Sequence, residues 1–233
     1  MLRKERLHGA KAAARLDALT PLDVNYRLPP GSAPDWNHHW HLDSRRIAVA
    51  REAPGQPVPG GAFDIACRLV RDYQFPDRRI LRALYRRDGP LLGRNMLLEG
   101  HFLALRFDLG VRVTSVIDET RGTGTNARRV WGWGYQTLEG HLEQGELIYE
   151  VIKHLRTGDV TFAVRGHSRR GPIANPVVRL GFVLFGRTMQ HLFYLAAIRR
   201  LRDLVDAQLR GAPPLPVETV RSDERIAVAP SGG

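Results

Sequence analysis

At 233 residues, 43% of them hydrophobic, the chain is long enough to bury the core of a single domain with tails. Its formal net charge is +11, and of the 35 basic residues all but Lys4, Lys11 and Lys153 are arginines, scattered along the chain and not gathered in one stripe. That pattern favours anionic partners in general and no specific nucleic acid. The lone Cys67 cannot close an internal disulfide, which fits a reducing cytoplasm, and the amino terminus lacks the apolar stretch of a secretory signal.

In chain order, residues 4–19 read as a short helix of Ala, Leu and Arg that stops at Thr20-Pro21. Pro29, Pro30, Gly31 and Pro34 mark a loop, and a second break spans Pro54 to Gly61. Residues 1–60 are therefore an amino-terminal helix and loop-rich arm, with the compact domain beginning near Phe63. The arm carries Trp36-Asn-His-His-Trp-His41. On an extended segment His39 and His41 share a face, which makes them candidate metal ligands. The competing reading docks the arm on the domain through Trp36 and Trp40, because no second ligand pair with metal spacing exists elsewhere.

Ile65 to Phe75 alternates as a strand would, with Cys67 a packed thiol. Pro76 then opens a helix through Ile80, Leu81, Leu84 and Tyr85, closed by Gly89-Pro90. Asn95–Phe107 and Gly110–Asp118 alternate as strands, and a Gly-Thr-Gly-Thr-Asn turn at 122–126 leads into a strand at 129–138. That turn is no phosphate loop, since it lacks the following Lys-Ser/Thr. On the strand, Trp131, Trp133, Tyr135 and Thr137 share one face, with Gly132, Gly134, Gln136 and Leu138 on the other. Leu147–His154 and Val160–His167 form a hairpin through Thr157-Gly158-Asp159.

The last predicted element is a helix from Asn175 to Leu209, with Asn175 as N-cap, Pro176 at N1 and a broad apolar face. Its run 176–198 contains Arg179 and Arg187, each costing about 2.5–3.5 kcal/mol near a bilayer centre, so a core helix is expected and not a transmembrane one. Residues 211–233 are expected to be a disordered tail.

A meander of antiparallel strands followed by a long helix suggests the helix-grip fold, an α+β arrangement in which a curved antiparallel sheet wraps around a carboxy-terminal helix. The domain would span 61–210. The motifs Trp133-Gly-Tyr-x-Thr-Leu-x-Gly-His141 with Gly145-Glu146, Val160-x-Phe162 and Pro176-x-x-Arg179-x-Gly181-Phe182 resemble the bacterial and plant family called domain of unknown function 1990, over residues 60–205. The resemblance implies kinship with the START and birch-pollen-allergen superfamily of hydrophobic-ligand binders, and no established reaction.

The function expected is binding of a hydrophobic or amphipathic small molecule between sheet and helix, with Trp131, Trp133 and Tyr135 on one wall and Phe182, Phe185 and Met189 on the other. Core packing gives the same signature for each of the six. One alternative is an enzyme, with His141, Glu143 and Glu146 as base or metal site acting on a cavity-bound substrate, and another is a basic surface module that binds nucleic acid or anionic membrane. Against the enzyme, His141 can simply bond the backbone of a turn marked by Gly140 and Gly145. Arg165, Arg169 and Arg170 either meet an anionic headgroup or phosphate or form a solvated connector. Ser168 lacks the second glycine of a nucleophile elbow.

Overall fold

The structure, a computed structural model, describes residues 2–3, 9–28, 34, 40–102, 105–171 and 176–232, the side chains of 2, 3, 9, 101, 102, 105, 106 and 176–191 excepted. The elements are β1 (Leu2–Arg3), α1 (Gly9–Asp17), β2 (His41–Arg51), α2 (Ala62–Arg71), β3 (Leu81–Arg86), β4 (Asn95–Phe102), β5 (Leu105–Arg121), β6 (Arg128–Thr137), β7 (Glu143–His154), β8 (Asp159–Arg170), α3 (Pro176–Leu209), β9 (Glu218–Val220) and β10 (Asp223–Ala229). The strands form one antiparallel sheet in the order β2-β8-β7-β6-β5-β4-β3-β10-β9, with β1 on β5. Sheet and carboxy-terminal helix make this an α+β helix-grip domain.

Strand periodicity assigns the two faces. On the inner face Tyr85, Met96, Val113, Trp133, Tyr149 and Phe162 share one core with α2 and with Phe193, Tyr194, Ala197, Ile198, Leu201 and Val205 of α3. On the outer face α1 places Ala12 and Leu16 over Leu84, Leu97, Leu138, Ile226 and Val228. The intervening residues let strands approach closely. A Cβ at Gly132 would lie 2.1 Å from the Tyr149 carbonyl oxygen of the neighbouring strand, so only glycine fits there.

The meander and the long helix fall where periodicity puts them, whereas four expectations are corrected. Residues 65–75 are not a strand: Ala62, Phe63, Ile65, Ala66, Cys67, Leu69 and Val70 are buried and Asp64, Arg68 and Arg71 emerge at helical spacing, forming α2. Residues 76–89 hold no helix; β3 lies there, bonded to β4 on one side and β10 on the other. The sheet begins before Phe63, since β2 pairs along β8 from His41↔Ser168 to Arg51↔Asp159. The tail supplies β9 and β10, and Ile226 to Ala229 are buried. The amino-terminal helix is α1, and Asn175 lies outside the described residues. Among those residues no helix is long and apolar enough to cross a membrane.

Candidate functional site

The inner face is divided by α2, whose carboxy end is built in an unusual way. The Gln74 amide donates to the Leu69 carbonyl and the Tyr73 amide to the Val70 carbonyl, the paired bonds that close a helix through a left-handed residue. That residue is Tyr73, at φ 54, the one non-glycine with positive φ among the described residues, where an aromatic side chain costs about 1–3 kcal/mol. The turn is held from both sides, by Arg200 of α3 donating to the Gln74 carbonyl (3.1 Å) and by Ser231 donating to its side-chain oxygen (2.8 Å). The strained backbone aims Tyr73 into the core.

There it joins an aromatic layer. Ring centroids lie 5.2 Å apart for Trp133 and Tyr149, 4.7 Å for Phe75 and Tyr149, and 6.0 Å for Tyr73 and Trp133, and Phe162 stacks on Tyr149. Three hydroxyls, of Tyr73, Tyr135 and Tyr149, come close enough to perturb one another. Burial first, and the neighbouring phenols second, push Tyr73 and Tyr149 well above the usual tyrosine range, and burial pushes Tyr135 up to about 12. All three are neutral phenols at any physiological pH. The three phenols are within hydrogen-bonding reach of one another, although among the described residues neither the Tyr73 nor the Tyr149 hydroxyl makes a bond of good distance and angle.

The sheet-wall candidates separate along β6. Trp131 lies beneath the Arg71 guanidinium of α2 (4.9 Å) and Trp133 donates to the Val70 carbonyl (3.1 Å), so α2 closes over both. Tyr135, one step further along the same face, lies beside Glu143. Backbone placement puts Phe182, Phe185 and Met189 on α3; their side chains lie outside the described residues.

His141, Glu143 and Glu146 do not converge. Three residues apart on a strand, Glu143 and Glu146 point to opposite faces. Glu143 lies near Tyr135 and 3.5 Å from the Ser168 hydroxyl, whereas Glu146 lies near Tyr26 and Arg165 on the outer face. His141 closes the turn: its Nδ1 accepts from the Glu143 amide at 2.9 Å, and Gly140 before it holds φ +80. Burial holds the imidazole down to about 4, against the opposing pull of the Glu143 carbonyl. The rest of the motif is equally local, with the Thr137 hydroxyl accepting from the Gly145 amide (2.9 Å) and Leu138 bridging to Val24 of the arm. A surface hollow of about 390 Å³ separates arm residues 24–27 from the turn at 139–141.

Of the metal candidates, His41 is exposed at the start of β2 and His39 lies outside the described residues, among which no group of three or more potential ligands assembles. Trp40 docks the arm, packing on Tyr26 and His167 under the Arg169 guanidinium (4.6 Å); Trp36 is outside the described residues. Arg165 is committed to Glu150 through two bonds (3.0 and 2.8 Å) and Arg169 donates to Gln144 (2.8 Å), leaving Arg170 exposed. Burial and a neighbouring carboxylate raise the Cys67 thiol above its usual range, so it stays a packed thiol.

Sequence reasoning missed Tyr73 and Tyr149. Tyr149 was legible once the β6–β7 register is known, because it stands directly opposite Trp133. Tyr73 had no signal, since nothing local marks a tyrosine for a left-handed turn.

A family model described as a domain of unknown function, DUF1990, matches residues 26–200. No curated protein matches the chain. Among solved structures, "Crystal structure of Ara h 8.0201" is similar over 72% of this chain and 99% of that one, at 7% identity and a TM-score of 0.38.

Proposed function

The chain belongs to the domain of unknown function 1990 family, and on that premise we propose that it binds a hydrophobic or amphipathic small molecule between the inner face of the sheet and α3. The observation that carries the reading is the gathering of three hydroxyls, of Tyr73, Tyr135 and Tyr149, within an otherwise aromatic layer. A wall of apolar rings with a few placed polar groups is how small-molecule sites are built, and backbone strain at Tyr73 fits a residue retained for its side chain. Tyr135 forms the sheet wall, Trp131 and Trp133 back it beneath α2, and Phe182, Phe185 and Met189 form the wall on α3.

The test is titration of the full chain with an environment-sensitive apolar dye, together with native mass spectrometry for a co-purifying small molecule. Saturable binding near one equivalent is expected, reduced by Met189→Trp, because an added indole fills limited space, and unchanged by Leu92→Trp on an exposed turn. No saturable binding to the wild-type chain would overturn the proposal. Neither other reading has a comparable observation behind it: the histidine and the two glutamates diverge, and Arg165 and Arg169 are already engaged.

A further inference from the structure

Arg165 and Arg169 are engaged, but three arginines at the carboxy end of α2 are not. Arg71 ends that helix, and Arg87 and Arg94 flank the turn from β3 to β4. The Arg71 guanidinium lies over the Trp131 ring (4.9 Å) and that of Arg94 over the Tyr85 ring (4.6 Å), and Arg94 also donates to the Arg71 carbonyl (3.3 Å). All three pull on the Asp72 carboxyl from beyond pairing distance, and among the described residues none of them is in an ion pair. Guanidinia laid on aromatic faces are pre-organised, so little freedom is lost when they meet a phosphate.

The turn between them reads Asp88-Gly-Pro-Leu-Leu-Gly93. Residues 89–93 have no polar side chain, and Gly89, Pro90, Leu92 and Gly93 are exposed. Leu92, at 56%, is the most exposed large hydrophobic among the described residues, while Leu91 before it packs on the core. Gly93 fixes the turn, holding φ 82 and donating to the Val113 carbonyl (2.9 Å). Of the carboxylates nearby, Asp72 is partly buried and Asp88 acts on Arg225. A soluble phosphate or a nucleic acid would use the arginines and leave the apolar tip in water. An anionic phospholipid bilayer uses both, its phosphates meeting the guanidinia while the leucine enters the acyl boundary.

We infer that Arg71, Arg87 and Arg94 with the turn at Leu92 dock the chain on an anionic phospholipid bilayer, Leu92 entering the interface between headgroups and acyl chains. This goes beyond the binding function proposed above and does not depend on it.

The test sediments the full chain with vesicles of phosphatidylcholine alone and of phosphatidylcholine with about one-third phosphatidylglycerol. Binding to the second only is expected, weakening as salt rises. Arg71→Gln and Arg87→Gln should each reduce it about fivefold, and Leu92→Ser by about as much. Arg46→Gln and Arg156→Gln remove the same charge from exposed positions elsewhere and should reduce it less than about twofold. Leu92→Cys carrying nitrobenzoxadiazole, with Cys67 buried and so left unlabelled, should brighten and shift to the blue on binding. The same label at Val58→Cys, an exposed position before the other end of α2, should not. Equal losses in all four arginine variants, or a label at 92 that stays dim on bound protein, would show diffuse charge attraction and overturn the proposal. Equal binding to both vesicles, binding to neither, or binding to a short oligonucleotide without binding to vesicles would overturn it as well.

Discussion

Replacing Lys153 with Met should be among the most damaging single changes outside the aromatic layer. Lys153 lies on β7 on the same face as Tyr149 and Val151, with its side chain at 0% exposure and that of Glu52 at 7%. Its ammonium donates to the Glu52 carboxylate (2.6 Å) and to the carbonyls of Ala53 (2.9 Å) and Gln56 (2.8 Å), so all three donors are used. A compact ammonium fits this tripod, and the flat fork of an arginine does not. Glu52 in turn accepts from the amides of Val58 (3.2 Å) and Phe63 (3.1 Å), the latter in the first turn of α2. One ion pair thus ties the end of β2, the loop after it and the start of α2 to the middle of the sheet. Met keeps the apolar stem and strands the carboxylate, a loss of about 3–5 kcal/mol, which lowers the Tm by roughly 6–20 °C for a chain of this size. Adding Glu52→Gln should recover a large part of that loss, because the stranded charge is removed. The pH dependence has a definite sign. Burial alone would raise the Glu52 carboxyl, but Lys153 and the two amides outweigh it and hold it below the usual range. Its stabilisation is therefore present at neutral pH and lost as pH falls through the folded-state value. Without Lys153 the carboxyl rises, so the gap between wild type and variant should narrow on acidification. Thermal denaturation followed by circular dichroism across the acid range measures both effects. A neutral-pH shift under about 3 °C, the scale of a solvated surface pair, would refute the reasoning.

Other perturbations have equally definite outcomes. His141→Ala removes the acceptor of the Glu143 amide and should cost about 1–3 kcal/mol, read as a Tm loss of roughly 2–12 °C. The imidazole takes up its proton at about 4 in the folded chain and at 6.5 unfolded, so wild-type stability should decline as pH drops through that interval, by up to about 3 kcal/mol; an equal slope in the Ala variant would show that other groups cause it. Gly132→Ala drives a methyl group into the Tyr149 carbonyl on the next strand and should destabilise by about 1–3 kcal/mol in a denaturant titration. Glu150, 1% exposed, is held below the usual carboxylate range by Arg165 and Arg121, against the opposing effect of burial. Both arginines are partly solvated, so Glu150→Gln should cost only about 1–2 kcal/mol, and a loss no larger than that of a lone exposed pair would place the cluster in bulk-like solvent.

Periodicity alone was enough for the meander of β4 to β8 and for α3, because each of those elements buries one face and shows the other to solvent or to the outer layer, which writes an alternation or a helical stripe into the residues themselves. The same alternation put Trp133 and Tyr135 on one face and glycines on the other. The turn at Gly140 and His141 was also legible, since its bonds run between residues two or three apart. What lay beyond the sequence depends on partners far away along the chain. Residues 62–71 break a strand's alternation at Asp64, Arg68 and Arg71, which are spaced as on a helix, and burial of the other seven against the sheet and α3 fixes that segment as one. Leu81–Arg86 is a strand because β4 and a tail more than 130 residues later supply its hydrogen bonds, and β2 is one because β8 does. The tail carries too little apolar surface to order itself, and pairing with β3 orders it. Tyr73 is the extreme case: its left-handed backbone is unfavourable by itself and persists because α2 ends there, Arg200 and Ser231 hold the next residue, and the core takes the ring. Local pattern fixes which segments can be strands or helices, while hydrogen-bond partners and shared burial, which exist only after the chain has folded, decide the ambiguous ones and bring the three hydroxyls together.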